Sequence, residues 1–315
     1  MKKVMWGMLL VLVLGAGVFY YWDKNNKTSN VNNENNIINQ KANQPVKKPK
    51  AKAEAKPAKE EEQIKKEKEE AKEPKKEEAE PSKSSDDNKT LSWSFVRKKD
   101  HLPPAFENKE YQLAKKYNAI FLGDTEKKEI YLTFDEGYEN GYTGKILDTL
   151  KANDVKASFF ITYPYFEKEY GLVDRMVKEG HIVGNHTWHH PSMPDVTDDD
   201  KLEEEMLKLD REFKEKTGIA MKYLRPPKGE FSQRTLRISK ELGYRNVFWS
   251  MAYADWDIHS QKGPDYARQK VLDNIHNGAV ILLHAVSSDN AAALDGIIKE
   301  LKAQEYVFAS LDQIK

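Results

Sequence analysis

Asp135 and Glu136 stand side by side where the apolar run "IYLTF" stops and glycine begins. Adjacent carboxylates before a glycine can simply form a turn; they can also supply a base and a metal ligand. Four other places in the chain offer partners for the second role. "HTWHH" sets His186 and His190 four residues apart. On a helical turn that spacing puts two imidazoles on one face, about 5–6 Å apart at Cβ. Two histidines and a carboxylate, from Glu136 or Asp135, leave a position open for water and substrate, the pattern of a catalytic rather than a structural zinc. His189, between the pair, points elsewhere.

"RPPKG" opens with Arg225, a cation able to pair with Asp135 and keep it ionised as a base. Its prolines remove donors and Gly229 permits close backbone approach, so the N–H of Lys228 is a candidate oxyanion donor. "YADW" supplies Asp255 and Trp256, and "VILLH" ends in His284 at a core edge. An imidazole there acts as a general acid if a carboxylate fixes its tautomer and holds its pKa near working pH, and Asp255 is the available one. Tyr138, just past the acidic pair, is a candidate substrate contact.

Each of these groups follows a short apolar run. Strands are expected at 129–135, 156–162, 181–186, 222–227, 245–250, 279–285 and 306–311. Their apolar residues are near-continuous, as in parallel strands buried on both faces. Amphipathic helical segments lie between them, among them "GKILDTLKAND", "GLVDRMVKEG" and "AAALDGIIKELKAQ"; several end in Gly, and Ser232 is a plausible N-cap. About seven βα units imply a (β/α) barrel or an open doubly wound sheet. Ionisable groups gather at strand C-terminal ends, where barrel enzymes build their sites, so an incomplete (β/α) barrel is expected.

The rest of the chain frames that domain, expected over 90–315. Residues 1–22 contain a 19-residue run, Val4 to Trp22, free of charge and preceded by two lysines. Such a helix matches the ~30 Å hydrocarbon core, with Lys2 and Lys3 on the cytoplasmic side. An uncleaved single-pass anchor is expected, with a cleaved signal segment as the alternative and the domain outside the cytoplasm in both cases. Residues 23–89 are Asn-rich and then Lys/Glu-rich, too poor in apolar residues for a core, and read as a tether. The 51 basic and 51 acidic residues cancel, giving no electrostatic reason to bind nucleic acid. There is no cysteine, which excludes disulfides and thiolate metal sites.

Together "TFDE", "HTWHHP", "RPPKG", "ADW" and "LLHA" resemble the five ordered motifs of the polysaccharide deacetylases of carbohydrate esterase family four. The resemblance implies an incomplete (β/α) barrel that hydrolyses N-acetyl groups on sugars with a divalent metal: zinc first, with cobalt, manganese or magnesium as alternatives. It implies Asp135 as general base, Arg225 as its partner, and His186 and His190 as metal ligands. Asp255 would tether His284, the general acid, and Trp256 would form part of the acetyl pocket. "SWSF", "LPPAF", "KYNAIFLG" and "IYLTFDEGYENGYT" are further similar to de-N-acetylases that act on N-acetylmuramic acid and lead to muramic δ-lactam in spore cortex. Peptidoglycan glycan strands are therefore the expected partner. Most of the wider family has Asp where this chain has Glu136, whose longer arm must fold back, act through water or leave the metal. A glucosamine, chitin or xylan deacetylase is the alternative within the enzyme class. A non-catalytic glycan-binding module is the alternative outside it, and would have no use for an acid–base set.

Overall fold

The computed structural model describes residues 87–106 and 109–315. The expected membrane segment 1–22, and residues 23–86 of the expected tether, lie outside them. Among the described residues no helix is long and apolar enough to cross a membrane. The last part of the stretch read as tether is docked. Asp87 O accepts from Arg234 N at 2.9 Å, and Asn88 Nδ2 donates to Pro194 O at 2.9 Å.

The strands are β1 (Leu91–Ser92), β2 (Glu129–Glu136), β3 (Ser158–Ile161), β4 (Ile182–Asn185), β5 (Tyr223–Leu224), β6 (Glu230–Phe231), β7 (Arg245–Asn246), β8 (Val280–His284) and β9 (Val307–Phe308). The helices are α1 (Lys109–Lys116), α2 (Thr143–Ala152), α3 (Tyr163–Lys168), α4 (Tyr170–Lys178), α5 (Asp199–Thr217), α6 (Gln233–Glu241), α7 (Pro264–Asn274) and α8 (Ser288–Ala303). Seven strands form one sheet in the order β7-β5-β4-β3-β2-β8, with β9 paired to the start of β2. Every pair in it is parallel. Between β7 and β8 the sheet closes only through isolated bridges, Ile120 with Val247, Leu122 with Ala279 and Met251 with Ile281. This is an incomplete (β/α) barrel.

All seven expected strands are present, several of them shorter than their apolar runs. The run 245–250 keeps ladder pairing only at Arg245–Asn246, because beyond it the chain is held by the isolated bridges. The antiparallel pair β1–β6 and the helices α1, α3 and α7 were not expected. Two-residue strands show no period, and α7, "PDYARQKVLDN", buries only Ala267 and Val271.

Alternation along the strands sorts side chains into two layers. On β2, Ile130, Leu132 and Phe134 join the main core under the helices, whereas Tyr131 packs inside the barrel with Phe160 and Val280. Thr133 and Asp135 share the parity of Tyr131. Gly184 on β4 makes room inside: a Cβ there would stand 2.7 Å from the Phe160 ring. Caps end the helices as expected. Ser232 Oγ accepts from Thr235 N at 3.1 Å in a capping box, and α5 closes at Gly218 with φ 75°.

Candidate active site

Because the strands are parallel, their C-terminal ends open at one end of the barrel, and the expected groups meet there. A cleft of about 1200 Å³ is lined by Asp135, His186, His190, Lys228, Trp256 and His284, among others. Tyr138 and Trp256 stand on its rim, 52% and 60% exposed.

Arg225, fully buried, rises from the end of β5 into the barrel interior. Its Nη1 donates to Asp135 Oδ1 at 2.7 Å and its Nη2 to Thr133 Oγ1 at 2.8 Å, while Nε donates to Val247 O at 3.2 Å. Its guanidinium lies 4.2 Å from the centre of the Phe160 ring, which itself fills the space that Gly184 leaves. Burial alone would raise the pKa of Asp135, but Arg225, His186 and His284 outweigh it and hold the carboxyl below its ordinary value. Asp135 is thus an ionised carboxylate with one oxygen tied down and Oδ2 turned toward His186.

His284 ends β8 opposite. Its Nδ1 contacts Asp255 Oδ1 at 2.7 Å and its backbone N–H donates to Asp255 Oδ2 at 2.8 Å. Burial works against the imidazolium, but Asp255 overcomes it and raises the pKa of His284. The donor to the carboxylate is therefore Nδ1–H, which leaves Nε2 for the cleft. Asn290, at the start of α8, adds a bond from Nδ2 to Asp255 Oδ2 at 2.5 Å, and Tyr253 donates its hydroxyl to Asn290 Oδ1. Neither residue was foreseen. Asn290 lies 35 positions from Asp255 and carries no spacing signal.

His186 and His190 converge with ring centroids 4.7 Å apart. They do so without the expected helical turn. Thr187 and His190 adopt φ of 68° and 61°, and the loop is held by Thr187 N donating to Asn185 Oδ1 at 2.8 Å and His190 N donating to Thr187 Oγ1 at 3.0 Å. Burial lowers the pKa of both rings, to about 4 for His190. His186 Nδ1 contacts Arg225 O at 2.8 Å, so its proton sits on Nδ1 and the Nε2 lone pair faces Asp135 Oδ2 at 3.5 Å. A lone pair set against a carboxylate in a buried site favours a cation between them. The donor chemistry of His186, His190 and Asp135 fits a divalent ion, although among the described residues no three such side chains are already closed around one. His189 points away, bonded through Nδ1 to Glu205 Oε1 at 2.7 Å.

Glu136 does not join them. One residue past Asp135 on the same strand, it shares the parity of Phe134 and points beneath the helices. It is fully buried and does not line the cleft. Among the described residues, both its oxygens and the nearby Thr143 hydroxyl lack a hydrogen-bond partner. Burial, reinforced by Glu139 and Asp135, pushes its carboxyl well above the ordinary 4.5. An acid whose folded pKa is raised adds full stability below its unfolded value and loses it as pH rises. Glu136→Met is therefore expected to raise the unfolding free energy at pH 7 by about 1–3 kcal/mol. It should also flatten the decline between pH 4.5 and 7. Denaturant titration at several pH values measures this, and unchanged metal affinity by calorimetry would separate Glu136 from the ligand set.

Lys228 takes the left-handed conformation, φ 59°, at the lip of the cleft. The loop is held against Trp249, since a Cβ on Gly229 would stand 2.7 Å from that ring.

The polysaccharide deacetylase family model matches residues 122–247. Over 228 residues the chain is 46% identical to the peptidoglycan-N-acetylmuramic acid deacetylase PdaA of Bacillus subtilis, a match spanning 72% of this chain and 86% of that one. The chain belongs to the polysaccharide deacetylase family. The solved structure of B. subtilis PdaA, a family 4 carbohydrate esterase, superposes with a TM-score of 0.70 at 45% identity, covering 72% of this chain and 97% of that one. A peptidoglycan-N-acetylglucosamine deacetylase of Bacillus cereus is 36% identical over 205 residues, 64% of this chain and 73% of that one. This deacetylase is accordingly a hydrolase of N-acetylated sugars. Its Asp255 and His284 lie beyond the segment that the family model matches, as does the N-terminal part of the cleft wall.

Proposed function

We propose that this deacetylase removes the acetyl group from N-acetylmuramic acid in peptidoglycan glycan strands, as a step to muramic δ-lactam in spore cortex. The chemistry rests on one observation: Asp135 paired with Arg225 and His284 paired with Asp255 line the same cleft, a carboxylate beside a guanidinium and an imidazole whose Nδ1 a carboxylate holds. The choice of sugar is supported by the similarity to PdaA of B. subtilis. The 36% identity to the glucosamine deacetylase of B. cereus supports glucosamine as the second reading. The reaction would take place outside the cytoplasm, with the uncharged run Val4 to Trp22 as a membrane anchor or, as the second reading, a cleaved signal segment.

His186 and His190 would hold a divalent ion, zinc by the nature of the ligands, which would supply Lewis acidity toward the acetamide carbonyl. Asp135 takes a proton from the attacking water through Oδ2 as the new C–O bond forms. The N–H of Lys228 faces the oxygen that gains charge. His284 delivers its Nε2 proton to the sugar nitrogen, the C–N bond breaks, and acetate leaves with the free amine on the sugar. Trp256 and Tyr138 bound the space for the acetyl group and the ring.

The expected result is acetate release from peptidoglycan glycan strands, with muramic δ-lactam or its free-amine precursor appearing by mass analysis. Acetate lost only from glucosamine would replace the substrate. No acetate from folded protein with any added divalent metal would favour a glycan-binding module.

A further inference from the structure

Among the described residues three cationic side chains stand around the cleft besides its histidines, and of the two guanidiniums only one has no place in the chemistry. Arg225 is consumed by Asp135. Lys228 lies beside His190, whose pKa it helps to lower after burial and His186, and acts through its backbone. Arg97 is left over. It lines the cleft beside Phe95, its guanidinium 5.9 Å from the centre of that ring, and donates from Nη2 to Ala252 O. Among the described residues no carboxylate is paired with it, and among them the only acidic side chain lining the cleft is Asp135, already neutralised by Arg225.

Arg97 is exposed, and two contacts hold it at the cleft. The preceding segment is pinned by Trp93, whose Nε1 donates to Trp249 O at 2.8 Å and whose N–H donates to Gly229 O at 2.8 Å. The bond to Ala252 ties it to the loop that carries Asp255, and so to the wall where His284 meets the leaving nitrogen. An exposed guanidinium held at the cleft by its bond to Ala252 O, with nitrogens still to satisfy and no carboxylate paired with it among the described residues, is a receptor for a carboxylate.

We infer that Arg97 is a specificity-determining residue that binds the lactyl carboxylate of the substrate sugar. The inference rests on the muramyl reading above. Muramic acid differs from glucosamine only by a lactyl ether on O3, one ring carbon from the C2 amide that is cleaved. A sugar with its amide nitrogen at His284 therefore carries that carboxylate toward the same wall. Glucosamine has nothing to offer Arg97.

The test uses the full-length protein on two glycan-strand substrates: strands stripped of peptides, with free lactyl carboxylates, and the same strands with those groups converted to methylamides. The wild-type protein is expected to favour the acid by about tenfold in kcat/KM, mainly through KM, as for a partly exposed charge-assisted bond. Added salt should shrink the preference. Arg97→Gln should lose it by slowing only the acid, and Arg97→Lys should recover part of it. Equal rates on acid and methylamide in the wild-type protein would overturn the role of Arg97 while leaving muramyl deacetylation intact. So would an equal fall on both substrates in Arg97→Gln, the mark of a merely structural residue. Acetate lost only from glucosamine would overturn the muramyl reading and this inference together.

Discussion

His284→Ala is expected to lower kcat by about 10²–10⁴-fold, the usual contribution of a positioned general acid. The fold should survive. The His284 side chain is 23% exposed at the cleft. Asp255 keeps its bonds from the His284 backbone N–H and from Asn290 Nδ2 after the ring is removed. The pH profile gives a sharper reading than the rate alone. Asp255 raises the pKa of His284 against the effect of burial, so the acid form is present below that raised pKa and is lost as pH rises through it. Asp255→Asn should therefore draw the alkaline limb of kcat/KM to lower pH. The base behaves in the opposite sense: the pKa of Asp135 is lowered, which puts the acid limb below the ordinary 3.8. Full turnover in His284→Ala would remove it from the mechanism.

Arg225→Met is expected to cost roughly 3–5 kcal/mol of stability at neutral pH, the price of breaking a buried ion pair from one side. Arg225 is fully buried and Asp135 is 8% exposed, so water cannot replace the lost charge. Thr133 Oγ1 also loses its donor from Nη2. Without the guanidinium, burial controls Asp135 and its folded pKa rises above the unfolded value. The penalty is then greatest at high pH and shrinks as pH falls and the carboxyl takes a proton. Chemical denaturation from pH 7 down to pH 4 should show the wild-type and variant curves approaching each other. Adding Asp135→Asn to Arg225→Met should recover part of the loss, because a neutral amide replaces an unpaired buried charge. A constant difference across that pH range would mean that Arg225 acts through packing alone.

How much of the site was legible in the sequence depends on how local its cause is. Asp135, His186, Arg225 and His284 each end an apolar run, and parallel strands bring such ends to one side whatever their order. The Asp135–Arg225 and Asp255–His284 pairs could thus be anticipated from residue type and place. The conformation of "HTWHH" could not. The pair meets through two left-handed residues, Thr187 and His190, held by Asn185 and Thr187 side chains in a loop. The fate of Glu136 was within reach: strict alternation along β2 turns it away from Asp135, so two neighbouring carboxylates cannot share one face of an extended strand.

What the chain determined by itself is the set of chemical groups and the end of the barrel at which they gather, because strand periodicity and turn chemistry act over a few residues. Tertiary structure alone decided which oxygen of Asp135 is tied, that Asn290 and Tyr253 brace Asp255, and that Arg97 reaches the cleft wall beside Ala252. Arg97 and Ala252 are 155 positions apart. Contacts over such separations arise from the packing of whole elements, and no local pattern in the sequence records them.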